Sequence, residues 1–179
     1  VIMSTPGSTA GGTARDDDHT ALHYHAWGDP SVLKVGALRA PRADELGDGK
    51  LLLRVHAAAL NPVDYKQRSG SQRGLMVFTF PIVVGFDFCG TVVARGANVP
   101  AQFAVGDVVF GCVHGLRVGT VAEYAVVDAC VCARKPPDVS DIDAASVPLV
   151  GGTALRMLLK CNLDFVDEYK QYADLVNVL

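Results

Sequence analysis

The chain has 179 residues, half of them apolar, and a formal net charge of −3. That length suits one domain with a real core, and that charge gives no basic surface for nucleic acid or an anionic membrane. No apolar run reaches the roughly 18 residues that a membrane helix needs.

Residues 1–20 are rich in Gly, Ser, Thr, Ala and Asp, carry no apolar period, and read as a disordered tail. No basic segment followed by an apolar stretch opens the chain, so the expected compartment is reducing and cytoplasmic. Ser4, Thr5, Ser8, Thr9 and Arg15 leave a mitochondrial transit peptide open, while the acidic run Asp16, Asp17 and Asp18 argues against it. Order is expected from Ala21, with a first strand over Leu22–Ala26, a turn at Gly28-Asp29-Pro30, and a second extended segment over Val32–Val35. A polar loop follows from Pro41 to Lys50. Leu51–Leu60 is apolar enough for a central strand. Asn61-Pro62 ends it and starts a short helix with Asn61 as N-cap, Pro62 at the first position and Gly70 as the stop.

Pro81–Val84 and Phe86–Arg95 read as strands broken at Gly85, with Gly90 as a bulge or close-packing point. Val105-Gly106-Asp107 feeds a strand over Val108–Phe110, and further strands are expected over Thr120–Val127 and Cys130–Ala133. Many short strands with Gly turns predict a mainly β, partly open barrel. After Pro136-Pro137 the chain turns helical: one turn over Asp141–Ser146 capped by Ser140, then Thr153–Leu163 and an amphipathic stretch from Phe165 to Leu179.

The five cysteines (Cys89, Cys112, Cys130, Cys132 and Cys161) lack any C-x-x-C step and are expected to be reduced thiols. Cys130 and Cys132 would share one strand face. His56 and His114 have no partner at ligand spacing. His23 and His25 are spaced as two ligands but lack a third.

Three stretches, RVHAAALNPVDYKQRSG, FPIVVGFDFCGTVVARGANVPAQFAVGDVVFG and GTVAEYAVVDACVCARKPPDVSDIDAASVPLVGGTALRML, resemble the N-terminal GroES-like domain of medium-chain dehydrogenases/reductases. The similarity is strongest to the zinc-independent quinone oxidoreductase and 2-alkenal reductase branch and runs from about residue 21 to 160. It implies a GroES-like domain over 21–150. Residues 151–179 would then be helices that begin the link to a cofactor domain. The resemblance also implies hydride transfer from NADPH to a small quinone or enone, in a cleft shared with a nucleotide-binding Rossmann domain. No G-x-G-x-x-G occurs here, and too few residues follow Leu163 for such a domain. The chain alone is therefore expected to be inactive, with an apolar domain-facing surface open to self-association. A non-catalytic binding module on the same fold is the alternative. Zinc-dependent members carry Cys where this chain has Pro62 or Val63, and His-Glu where it has Phe86-Asp87, so no metal is expected.

By resemblance Asn61 lies beside the nicotinamide, where an amide bonds a carbonyl oxygen or a cofactor amide. It also reads as a helix cap. Lys66 corresponds to a lysine lining the substrate or cofactor side, where a cation stabilises an enolate; it also reads as a solvated surface residue. Tyr65 is a candidate proton donor or a packed amphipathic ring. Thr153, after Gly151-Gly152, corresponds to a threonine near the cofactor phosphates or ribose. Asp64 suits the helix dipole, and Asp87 is expected to fix its strand turn through backbone N–H bonds.

Overall fold

The computed structural model describes residues 2–4, 18–74, 79–113 and 119–160. The elements are β1 (Ile2–Ser4), β2 (Asp18–Tyr24), β3 (Lys34–Arg39), β4 (Lys50–Ala59), α1 (Pro62–Arg68), β5 (Ile82–Val83), β6 (Asp87–Arg95), β7 (Val108–Cys112), β8 (Tyr124–Asp128), β9 (Cys132–Arg134), α2 (Asp141–Ser146) and α3 (Pro148–Lys160). They form two sheets, so the fold is mainly β as expected, but the sheets do not close into a barrel.

The larger sheet is built on β4. One edge of β4 pairs with β6 along its length; the other is divided between β1, opposite Ala57–Ala59, and β8, opposite Lys50–Arg54. From β6 the sheet continues to β7 and β9. The long apolar run of β4 follows from cover on both faces. Leu51, Leu53 and Val55 join the main core with Phe88, Val92 and Val109, whereas Ala57 packs with Cys89 against Ala144 and Ala145 of α2. The two alanines let α2 lie close on the sheet, and Ser140 caps it as expected, its hydroxyl accepting from Asp143 N–H at 3.1 Å. Gly90 is the close-packing point: a Cβ there would stand 2.4 Å from the Arg54 carbonyl oxygen, beside a register shift between Val55 and Ala57.

The smaller sheet, β3-β2-β5, is stitched to the larger by residues 119–123. Leu22 N–H donates to Val121 O, Val121 N–H to Val84 O, and Glu123 N–H to Thr20 O. This stitching is why the strand expected from Thr120 begins only at Tyr124. The strand expected over Val32–Val35 starts at Lys34, because Asp29 caps a 3₁₀ turn at Pro30–Val32. Cys130 lies in a 3₁₀ turn, Ala129–Val131, and is exposed; Cys132 opens β9 and is half-buried, so the expected shared face is not formed. Helix α3 begins at Pro148, earlier than the expected Thr153, since proline at a helix start sacrifices no hydrogen bond. Of the expected tail, Ile2–Ser4 pairs with β4 and β2 starts at Asp18. Residues 5–17, His114, Cys161 and the helix end and amphipathic stretch expected over 161–179 lie outside the described residues. No helix among the described residues is long and apolar enough to cross a membrane.

Candidate functional site

The site is assembled where β4 passes into α1. Asn61 is extended and precedes Pro62, so the chain turns sharply into the helix. With helical spacing, Asp64 and Gln67 face inward and are buried, while Tyr65 (55% exposed) and Lys66 face out. Asp64 does more than favour the helix dipole. Its Oδ2 accepts from Asn61 N–H at 2.7 Å and its Oδ1 from Gly85 N–H at 2.8 Å. Gly85 has φ +100°, and a Cβ there would meet Thr120 Oγ1 at 2.6 Å, so this corner admits only glycine.

Asp87, fully buried at the start of β6, repeats the pattern. Its Oδ2 accepts from Asn61 Nδ2 at 2.7 Å and its Oδ1 from Leu149 N–H at 2.9 Å. The local turn expected of Asp87 is thus held by Asp64, and the backbone N–H that Asp87 accepts comes from distant Leu149. Thr120 Oγ1 donates to the Asp87 carbonyl at 2.8 Å. Burial pushes both carboxyls above their ordinary range, against the hydrogen bonds that favour the ionised forms. The same burial, with Asp87 nearby, raises the Cys112 thiol strongly, which leaves it protonated and unreactive.

A cavity of about 390 Å³ opens beside this junction. Leu22, Leu33, Leu60 and Val84 give it apolar walls, and Asn61, Asp64, Tyr65 and Arg68 give it polar groups on one side. Arg68 is steadied by donation from Nη1 to Gly28 O at 2.7 Å. The structure therefore brings Asn61 and Tyr65 to one cavity; Lys66 is exposed and does not line it. Thr153 is exposed on α3, with its hydroxyl donating to Leu149 O at 2.8 Å. Through Leu149 and Asp87 it belongs to the same hydrogen-bonded chain as Asn61.

A second cluster escaped the sequence reading. His56 Nδ1 meets Asp141 Oδ2 at 2.9 Å and its Nε2 meets Thr91 Oγ1 at 3.0 Å; Lys135 Nζ stands 3.6 Å from Asp141 Oδ1. Asp141 lies 85 positions from His56, so no local spacing signals the pair. Cys89, 3.6 Å from the same carboxylate, is raised to about 12 by burial first and Asp141 second. Where zinc-dependent relatives are expected to place ligands, Pro62 opens α1 and Phe86 packs in the core. Among the described residues, no group of three or more His, Cys, Asp or Glu is placed to hold a metal ion.

Residues 47–137 match the model of the alcohol dehydrogenase GroES-like domain. The chain is similar to the chloroplastic quinone-oxidoreductase homolog of Spinacia oleracea, 37% identical over 122 residues that cover 68% of this chain and 35% of that protein. It is also similar to the 2-methylene-furan-3-one reductase of Solanum lycopersicum, 34% identical over 146 residues, 78% of this chain and 37% of the relative. A solved mycobacterial structure, Rv1454c complexed with NADPH, superposes with a TM-score of 0.65 at 32% identity, over 78% of this chain and 39% of that one. The chain thus spans little more than a third of the length of the curated relatives it matches.

Proposed function

Because the chain belongs to the alcohol dehydrogenase GroES-like domain family, we propose that it forms the substrate-side wall of a zinc-independent oxidoreductase that reduces a small quinone or enone with NADPH. The observation that carries this reading is the apolar cavity of about 390 Å³ with Asn61 and Tyr65 at one side. A planar, weakly polar ring suits such walls, and the few polar groups fix its orientation. The names of the spinach and tomato relatives, a quinone oxidoreductase homolog and a reductase of a methylene-furanone, support the substrate class. The domain is assigned to residues 21–150, with the helical link from 151, and the protein to the cytoplasm.

The residues present fit a nicotinamide cofactor. Asn61 is half-buried and offers an amide at the cavity. Thr153 spends its proton on Leu149 O, so toward a ligand it is an acceptor and suits a ribose hydroxyl better than a phosphate. When bound, the reduced nicotinamide supplies hydride to the electrophilic carbon of the acceptor. Tyr65 then has the position to give a proton to the acceptor, and Lys66, exposed one residue on, adds positive potential at the cavity mouth rather than a direct contact. The chain by itself is expected to bind rather than turn over, since these residues orient the acceptor but offer no dinucleotide-binding motif. Its uncovered apolar residues on α3 would favour self-association.

Trp27, the one tryptophan, packs on Phe80 with ring centroids 5.1 Å apart and belongs to the same apolar cluster as Leu33 and Leu60. Titration with a benzoquinone is expected to quench it saturably, and Leu33→Phe, which fills the cavity, to abolish saturation. Linear, non-saturable quenching by the parent chain would refute the substrate assignment. Saturable quinone quenching with no turnover when NADPH is added would assign the described residues to binding alone.

A further inference from the structure

We propose that Arg68 is the specificity-determining residue of the cavity: its guanidinium takes a carboxylate of the ligand, so the favoured acceptor is an enone or quinone that carries one acidic group on an apolar body. That a ketone occupies the cavity at all rests on the reading above; the preference for an acid follows from charge and hydrogen bonding within the cavity itself.

Among the described residues lining the cavity, Arg68 is the only cation. It ends α1 and is half-buried. Its Nη1 donates to Gly28 O at 2.7 Å, and Gly28 N–H donates to the Arg68 carbonyl at 3.1 Å, so the residue is tied through both side chain and backbone. That anchoring removes rotamer freedom before a ligand arrives and lowers the entropic cost of binding. A guanidinium carries five N–H donors, and those on Nε and Nη2 have no acceptor among the described residues. Two parallel, coplanar donors of this kind match the two oxygens of a carboxylate.

The natural competitor is Asp64, one helical turn earlier on the same face of α1 and also lining the cavity. It does not neutralise Arg68. Its two oxygens accept from Asn61 N–H and Gly85 N–H at 2.7 and 2.8 Å, and no ion pair to Arg68 forms among the described residues. Those two donors also offset the repulsion that Asp64 would exert on an incoming anion. The charge of Arg68 is felt in the wall behind: burial first and Asp64 second push the Tyr24 hydroxyl up to about 12, and Arg68 pulls against them. The apolar walls decide what the carboxylate is attached to. Leu22, Leu33, Leu60 and Val84 offer no side-chain hydrogen bond, so a phosphate joined to a ribose would lose its water there without return. An aryl or alkyl ketone loses little and gains the burial.

The test compares benzoylpropionate, a ketone with one carboxylate, with its methyl ester at neutral pH, by quenching of Trp27 in the full chain. Neither compound alkylates a thiol, so the exposed Cys130 does not interfere. The acid is expected to bind about tenfold more tightly than the ester, the worth of one charge-assisted pair in a partly desolvated site. Arg68→Met, which keeps the apolar stem, should bring the two to equal affinity by weakening the acid alone; Arg68→Lys should keep part of the preference. An ester that binds the parent as tightly as the acid, or a preference that survives Arg68→Met, would overturn the proposal and leave the cavity reading intact. Saturable quenching by neither compound would remove both. Should Arg68→Met fail to fold, added potassium chloride decides on the parent chain: the acid should lose affinity and the ester should not, and an acid indifferent to salt would overturn the charge assignment. Inorganic phosphate is the control anion. If it displaces the acid at lower concentration than benzoate does, Arg68 serves a phosphate group and the carboxylate assignment falls.

Discussion

The junction around Asn61 and the helix α3 are linked by a hydrogen bond from Leu149 to Asp87, yet they are built in opposite ways. At the junction the four carboxylate oxygens of Asp64 and Asp87 all have donors, and both residues are buried. On α3 no residue is buried, and Val150, Met157 and Leu158 are 50%, 64% and 43% exposed. Buried polar groups are costly unless fully met, so a satisfied pair of carboxylates next to a cavity marks a region whose geometry is already fixed. A helix with apolar residues outward marks a surface shaped for contact. The two regions should therefore respond differently to substitution.

The largest effect is expected from Asp64→Ala. It leaves the N–H groups of Asn61 and Gly85 without an acceptor in a buried corner, and should cost about 3 kcal/mol of unfolding free energy. Thermal or urea unfolding reads it directly. A loss of under about 0.5 kcal/mol, the range of an ordinary surface substitution, would mean that the junction is no more committed than α3.

The pH dependence sharpens the same contrast. Burial raises the pKa values of Asp64 and Asp87 in the fold. Between the ordinary carboxylate range and the raised values, the folded chain holds more protons than the unfolded one, so these groups make stability fall as pH rises through that window. His19 acts in the opposite sense: burial lowers its pKa, so its contribution is lost as pH falls below the ordinary imidazole range. The measurement is thus the difference in urea midpoint between the parent and Asp64→Asn across pH 4 to 7, in which the parent is expected to lose ground to the variant as pH rises.

The cluster at α2 is intermediate. His56 bridges Thr91 on β6 to Asp141 at the start of α2, but its side chain is 30% exposed. His56→Ala is expected to cost about 1 kcal/mol, the usual worth of a partly solvated hydrogen-bonded link. Amide exchange should show the loss concentrated in α2 rather than in α1.

How much of this was legible in the sequence follows from range. The N-cap at Asn61, the first-position Pro62, the Gly70 stop and the Ser140 cap are local chemistry, and each lies where a few neighbouring residues dictate. The apolar run of Leu51–Leu60, interrupted by an exposed Arg54 and a half-buried His56, likewise announces a strand covered over most of both faces. Local sequence casts Asp87 as a turn residue, because its side-chain donors, Asn61 and Leu149, lie 26 and 62 positions away. The His56–Asp141 pair was invisible for the same reason. The late start of β8 reflects competition: residues 119–123 serve the small sheet first, and no propensity encodes that.

The smallest effect on stability, and the clearest on behaviour, should come from α3. Val150 and Met157 lie two turns apart on one face and touch solvent over half or more of their surface. Replacing both by Glu removes little buried area, so unfolding should shift by no more than about 0.5 kcal/mol. Two new charges on that face would nevertheless oppose any association that covers it. Sedimentation of the parent chain should show mass rising with concentration, and the double variant should stay monomeric over the same range. Were the variant to lose several kcal/mol instead, α3 would be as internally committed as the Asn61 junction, and the division between a finished site and an open contact surface would collapse.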